Sequence, residues 1–343
     1  MIFSMKINFP SLIKYLFFLA LGIFFVWLSV KDLNHDRWLK IKDAVAHGRK
    51  WVIAPVIIML FLAHYVRAIR WKLLMEPLGY KPTNFNAFAA VMIGYLVNTG
   101  VPRLGEVFKC TLLARYEKFK MDKLIGTILI ERAVDLVSLL IIFFVAIIWQ
   151  GDIFGQFMFD LLKKFFHDRT GHLSTTKLII ASSIFIALLI CFYIILKRFG
   201  HIDVIARIKM VIRNIQHGLS SIRYLKHKRL FLFHSVALWG LYLFSTYAGL
   251  YAIEETAHLG IHGAITTLAV GSVGMILTPG GIGAYPLLVS QLIGLYGLDA
   301  ITTGTASGLL LWSAQTIIIL LGGFVCFALI SYVNKKRIAV ETS

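Results

Sequence analysis

Residues 302–331, TTGTASGLLLWSAQTIIILLGGFVCFALIS, contain no Asp, Glu, Lys or Arg. About 20 such residues suffice to cross a bilayer as a helix. Five more runs of this kind lie at about 11–30, 51–70, 124–149, 178–197 and 230–253. Backbone N–H and C=O groups in hydrocarbon have no water to bond, so spans of this kind are helical. The run pattern therefore predicts an all-α polytopic membrane protein with about six spanning helices in one transmembrane domain, residues 1–343. Composition agrees, with 58% hydrophobic and only 15% charged residues, where soluble domains carry roughly a quarter charged. No small-residue cleavage site follows the first run, which is read as a retained helix.

The net charge of +18 would suggest nucleic acid in a soluble protein. Here Lys and Arg sit between the apolar runs, where cytoplasmic loops collect them, so no nucleic-acid partner is expected. Cys110, Cys191 and Cys326 are too far apart for a metal-ligand spacing and read as packing residues. No Walker, HExxH or GxSxG motif occurs, and no enzyme, metal or cofactor is expected.

Two apolar stretches are too short for simple spans. Residues 85–98 run into NTGVPRLGE (98–106) and then 104–116; residues 262–277 run into TPGGIGAYP (278–286) and then 284–296. Both read as helix, break, helix. Gly100, Pro102 and Gly105 form the first break, and Pro279, Gly280, Gly281 and Gly283 the second; Gly and Pro are the poorest helix formers.

Charge assigns the sides. Residues 197–229 hold nine Lys or Arg and the tail NKKR three, whereas 254–261 holds none but carries Glu254 and Glu255. The positive-inside bias puts the first two in the cytoplasm and 254–261 outside, with both termini cytoplasmic. RAIRWK before the first broken element and Arg115, Lys118, Lys120 and Lys123 after it make a hairpin from the cytoplasmic side. The second, flanked by the acidic loop and GLDA (297–300), is a hairpin from outside. Full spans in place of both hairpins are the alternative. Residues 31–50 hold six Lys or Arg on the outer side in this scheme; they read as an amphipathic segment on the membrane surface, anchored by Trp38 and Trp51. The two halves, about 11–149 and 178–331, then form an inverted repeat with broken helices in matching places, an organisation that puts substrate sites at the repeat interface in transporters.

A break at membrane depth survives only where protein or a wet cavity satisfies its backbone. The N-terminus of the second half-helix is an anion site in principle, and Arg103 adds a forked donor suited to phosphate. Glu106 lies three residues on, in reach of Arg103 or Lys109. Asn98, Arg103 and Glu106, with Arg67 and Arg70 of HYVRAIRWKLL, are the candidate headgroup contacts; the competing readings are an interfacial turn and positive-inside anchors. In IERAVDLVSLL, Glu131 and Asp135 share a helix face and Arg132 lies beside them. They read either as a proton or cation relay or as a fixed ion-pair network tying this helix to PRLGE or to the arginines of 67–70.

Taken in order, RAIRWKLLMEPLG, NTGVPRLGEVFKCTLLAR, ERAVDLVSLL and TPGGIGAYP resemble the transmembrane region of the lysylphosphatidylglycerol synthases. The resemblance implies a flippase-like domain that moves a lipid between leaflets of the cytoplasmic membrane. The synthases carry a soluble aminoacyltransferase domain that this sequence does not show, so lysyl-phosphatidylglycerol synthesis is not expected. Many relatives have a Glu soon after the second break; here GAYPLLVSQ has none, so that the role of this Glu is either lost or taken by a polar substitute such as Gln291. The implied function is a lipid translocase for a phospholipid or polyprenyl-phosphate-linked lipid. The alternatives are a membrane enzyme or subunit acting on glycolipid or polyprenyl substrates, and a non-transporting scaffold for a lipid synthase. Membrane lipids are the expected partners, and a second copy of the chain or a lipid-synthesis enzyme stays open as a protein partner.

Overall fold

A computed structural model describes residues 23–24, 26–27, 35–101, 103–166 and 225–341. Helices dominate the described residues, and no strand occurs among them. The α-helices, in chain order, are α1 (His35–His47), α2 (Ile53–Met75), α3 (Asn84–Gly100), α4 (Leu104–Glu117), α5 (Met121–Phe166), α6 (Lys228–Ala252), α7 (Gly260–Leu277), α8 (Ala284–Leu295) and α9 (Thr305–Glu341). Five segments are long and apolar enough to cross a membrane: Lys50–Leu78, Met121–Phe157, Lys228–Ala252, Glu254–Leu277 and Ala300–Lys335. Four match runs read from the sequence. The fifth extends the first arm of the second broken element, because a 3-10 run at Glu254–Leu259 leads directly into α7. The runs at 11–30 and 178–197 lie outside the described residues, four helical positions at 23–24 and 26–27 excepted.

Both broken elements are helical hairpins. Thr83 caps α3 by accepting from the Asn86 N–H at 3.2 Å, the usual role of a Thr at this position. At the first break Arg103 adopts a left-handed backbone, φ 65°, and α4 starts after it. The arms α3 and α4 cross where Gly94 meets Gly105: a Cβ on Gly105 would lie 1.9 Å from the Gly94 carbonyl oxygen. Asn98 ties the turn, its Oδ1 accepting from the Gly105 N–H at 2.8 Å. At the second break Gly280, Gly281 and Gly283 all have positive φ, a conformation that carries little cost only for glycine.

Helix α9 organises the bundle. Its first half and the helical turn before it, Ala300–Gly304, pack on α8, with Gly308 against Pro286 and Gly304 against Ser290. Its second half packs on α3, with Gly322 against Met92, Gly323 against Leu96, and the Asn334 and Asn86 amides exchanging hydrogen bonds of 2.8 and 3.0 Å. In lipid, where apolar side chains gain nothing by leaving the solvent, such close approach through small residues is what holds helices together. The two hairpins thus reach along α9 from opposite ends. Their tips meet in the middle: Thr99 packs on Gly280, whose carbonyl accepts from the Trp312 indole at 2.8 Å.

Helices α2 and α6 lie antiparallel beside them. The Arg49 N–H bonds the Ala252 carbonyl at 2.7 Å at one end, while Arg70 meets Ser235 at the other. Helix α1 docks at the end that carries the acidic turn, with Ile41 buried against Ile253 and Ala306. Trp38 and Trp51 stay exposed, as interfacial anchors would.

Candidate functional site

A cavity of about 420 Å³ lies where the hairpin tips meet. Every long helix near the centre contributes to it: Arg67 from α2, Tyr95, Asn98 and Thr99 from α3, Glu106 from α4, Arg132 and Asp135 from α5, Trp239 and Tyr242 from α6, Ser272 and Ile276 from α7, Tyr285 from α8, and Leu311, Gln315 and Ile319 from α9. The charged groups come from α2, α4 and α5. Much of the remaining wall is aliphatic or aromatic.

The charged side is one connected network. Arg67 and Arg70, one turn apart on α2, face Glu131 and Asp135, one turn apart on α5; residues at these spacings share a helix face. Arg67 donates to Asp135 at 2.5 Å and to Glu131 at 3.2 Å. Arg70 donates to Asp135 at 2.6 Å. Lys109 of α4 donates to the other Glu131 oxygen at 2.6 Å and sits 4.0 Å from the Trp71 ring centre. Trp71 is itself fixed by a 2.9 Å bond to Thr127. Arg132, rotated about 100° around α5 from Glu131, points to the other helix and pairs with Glu106 at 3.1 Å.

Burial sets the energetics of this cluster. Glu131 and Arg70 are wholly inaccessible, and Arg67 and Lys109 nearly so. Charges placed this deep are tolerated only when paired, and removing one partner costs about 3–5 kcal/mol. Four cations, Arg67, Arg70, Lys109 and Arg132, face three carboxylates, Glu106, Glu131 and Asp135. One positive charge is left over. Arg67 and Arg132 reach the cavity wall beside their partners Asp135 and Glu106.

A sequence model of the lysylphosphatidylglycerol synthase TM region matches residues 12–323. The chain belongs to this family. A UPF0104 membrane protein of Methanocaldococcus jannaschii is 24% identical over 120 residues, 34% of this chain and 35% of that protein. The match thus spans about a third of that relative's length. No solved structure matches. With the family and the five apolar helices together, the chain is a multi-pass membrane protein.

The candidate residues of this family member fall into three groups. Arg67, Asn98, Glu106, Arg132 and Asp135 line the cavity. Arg70 and Glu131 stand behind it, completing the ion network. Arg103 is exposed at the hairpin tip, outside the lining, and Glu106 pairs with Arg132, neither with Arg103 nor with Lys109. Arg67 and Arg70 are buried partners of α5, where the sequence also allowed interfacial anchors. Gly100 is exposed, Gly105 is the crossing point of the first hairpin, and Pro279, Gly280, Gly281 and Gly283 shape the second tip. Pro102 lies outside the described residues. Gln291 is half-buried on α8 and does not line the cavity. The wall residues Tyr95, Trp239, Tyr242 and Gln315 were not singled out by sequence reasoning. Of these, Gln315 carries a usable signal, an amide in the middle of a charge-free span. Cys110 and Cys326 are free and buried, as packing residues are.

Proposed function

We propose that this protein is a lipid translocase of the cytoplasmic membrane, with both termini in the cytoplasm. It moves the headgroup of a phospholipid or polyprenyl-phosphate-linked lipid through the cavity between the hairpin tips while the tails remain in the bilayer. One observation supports the reading: the cavity combines two wall guanidinium groups, Arg67 and Arg132, each paired with a wall carboxylate, Asp135 and Glu106, with an extensive apolar lining. Phosphate suits the guanidinium fork, and the aliphatic wall suits the chains next to it. Asp135 and Glu131 hold Arg67 in place, and Glu106 holds Arg132 until a headgroup phosphate competes for it. In this account the two hairpin tips, which meet at the cavity, are the gates on the path from either side. No bond is made or broken in this account, and the protein is not an enzyme.

Reconstitution in liposomes tests it. Wild type is compared with Arg103→Ala, Arg132→Gln and Glu106→Gln, using labelled phospholipids and a labelled polyprenyl phosphate. Movement of at least one phosphate lipid is expected from wild type, and a fall of about tenfold or more from Arg132→Gln, which loses a charged hydrogen bond. If no lipid moves for any substrate, the translocase reading fails and a scaffold or an enzyme subunit takes its place.

A further inference from the structure

The cavity wall also carries uncharged polar groups besides the ion network. Gln315 stands in the middle of α9, and one helix face presents Leu311, Gln315 and Ile319 to the cavity. Helix α6 contributes Tyr242, whose ring meets Trp239 edge to face at 6.1 Å. Tyr95 and Tyr285 complete the wall. The Gln315 amide and the Tyr95, Tyr242 and Tyr285 hydroxyls have no hydrogen-bond partner among the described residues. Unpaired polar groups inside a membrane protein are expensive and face the interior where they serve a pathway. Four around one cavity amount to a polar binding surface.

The chemistry of these groups narrows the ligand. A primary amide offers two donors and an acceptor, and a phenol offers one donor and accepts as well. An ester carbonyl only accepts and would leave the Gln315 oxygen unmatched. An ammonium group only donates and would leave the two Gln315 N–H donors unmatched. A hydroxyl both donates and accepts, and a ring of hydroxyls also has C–H faces to lie against aromatic rings. We propose that Gln315, with Tyr95, Tyr242 and Tyr285, forms a subsite for a polyhydroxylated headgroup, next to a phosphate held at Arg67 and Arg132. This rests on the translocase reading for the phosphate and deepens it by assigning the headgroup class.

Two probes of equal charge separate hydroxyl recognition from charge: an inositol-headed phospholipid and an ethyl-headed one with the same chains, each bearing one phosphate diester. Binding to the purified protein is measured by native mass spectrometry, and movement is measured in liposomes. Wild type is expected to bind the inositol lipid about tenfold more tightly, the worth of one or two neutral hydrogen bonds. Gln315→Leu and Tyr242→Phe bring the two lipids to within about twofold, while Leu321→Ala, on the exposed side of α9, keeps the preference. Equal binding by wild type, or a preference that survives in both variants, overturns the subsite. Movement without headgroup preference defeats the subsite alone. Preference in binding without movement of either lipid defeats the translocase reading and leaves the subsite standing.

Discussion

At the scale of single residues, position in the sequence and position in space part company over the arginines. Arg103 sits in a polar break between apolar stretches, which draws attention to it, yet its left-handed backbone at the tip leaves it exposed. Arg132 lies in an ordinary helical run and reaches the cavity wall. The difference is a matter of helix phase. Glu131 and Asp135 share the face that meets the arginines of α2, and Arg132, the residue after Glu131, is rotated off that face toward Glu106 of α4. The buried acid Glu131 is the keystone of the network, since Lys109 and Arg67 both depend on it. Glu131→Ala is expected to lower folding stability by about 3–5 kcal/mol, read as a clear drop in melting temperature in detergent. Arg103→Ala is expected to stay within about 0.5 kcal/mol of wild type, as exposed substitutions do. A Glu131→Ala protein as stable as wild type would show that the ion network does not hold α2, α4 and α5 together.

At the scale of elements, the hairpins were legible because Gly and Pro interrupt apolar runs at two places and nowhere else so densely. Their packing was not. Gly94 and Gly105 look like two ordinary glycines until α3 and α4 are folded together, when no Cβ fits between them. Gly105→Ala would drive its methyl into the Gly94 carbonyl. The arms must then separate, so folded yield and melting temperature are expected to fall sharply. Gly100→Ala is the control: a Cβ there meets nothing within 4 Å, and stability is expected to change by no more than about 0.5 kcal/mol. Equal effects from the two substitutions would contradict the crossing. The length of the α7 segment was also hidden, because Glu254 and Glu255 lower the hydropathy of the turn that precedes it, although that turn is continuous with the helix.

At the scale of the whole molecule, charge bias and apolar runs were enough for an all-α polytopic protein with paired hairpins. The cavity was beyond reach. In a helix that is apolar all round, a Tyr, Ser or Gln facing lipid reads the same as one facing a cavity, since the periodicity that marks an amphipathic helix is lost. The wall from α6 and the amide of α9 therefore became visible only when the helices were placed around α9. The arrangement also makes a topological prediction. Single cysteines at Gly100 and at Ile282, in a background without Cys110, Cys191 and Cys326, are expected to react with impermeant maleimide from opposite sides of the membrane. Labelling of both from one side would contradict hairpins that enter from opposite faces.

The central claim is that a lipid headgroup passes through the cavity between the tips, and filling that cavity tests it most directly. Ser272 lines the wall on α7, and Ser272→Trp would occupy much of the space while leaving the ion network and both breaks untouched. Fluorescent lipid movement in proteoliposomes, with wild type and variant matched for folded protein, gives the answer. The account predicts movement by wild type and near-complete loss with Ser272→Trp. Undiminished movement by the plugged protein would mean that the lipid takes another path.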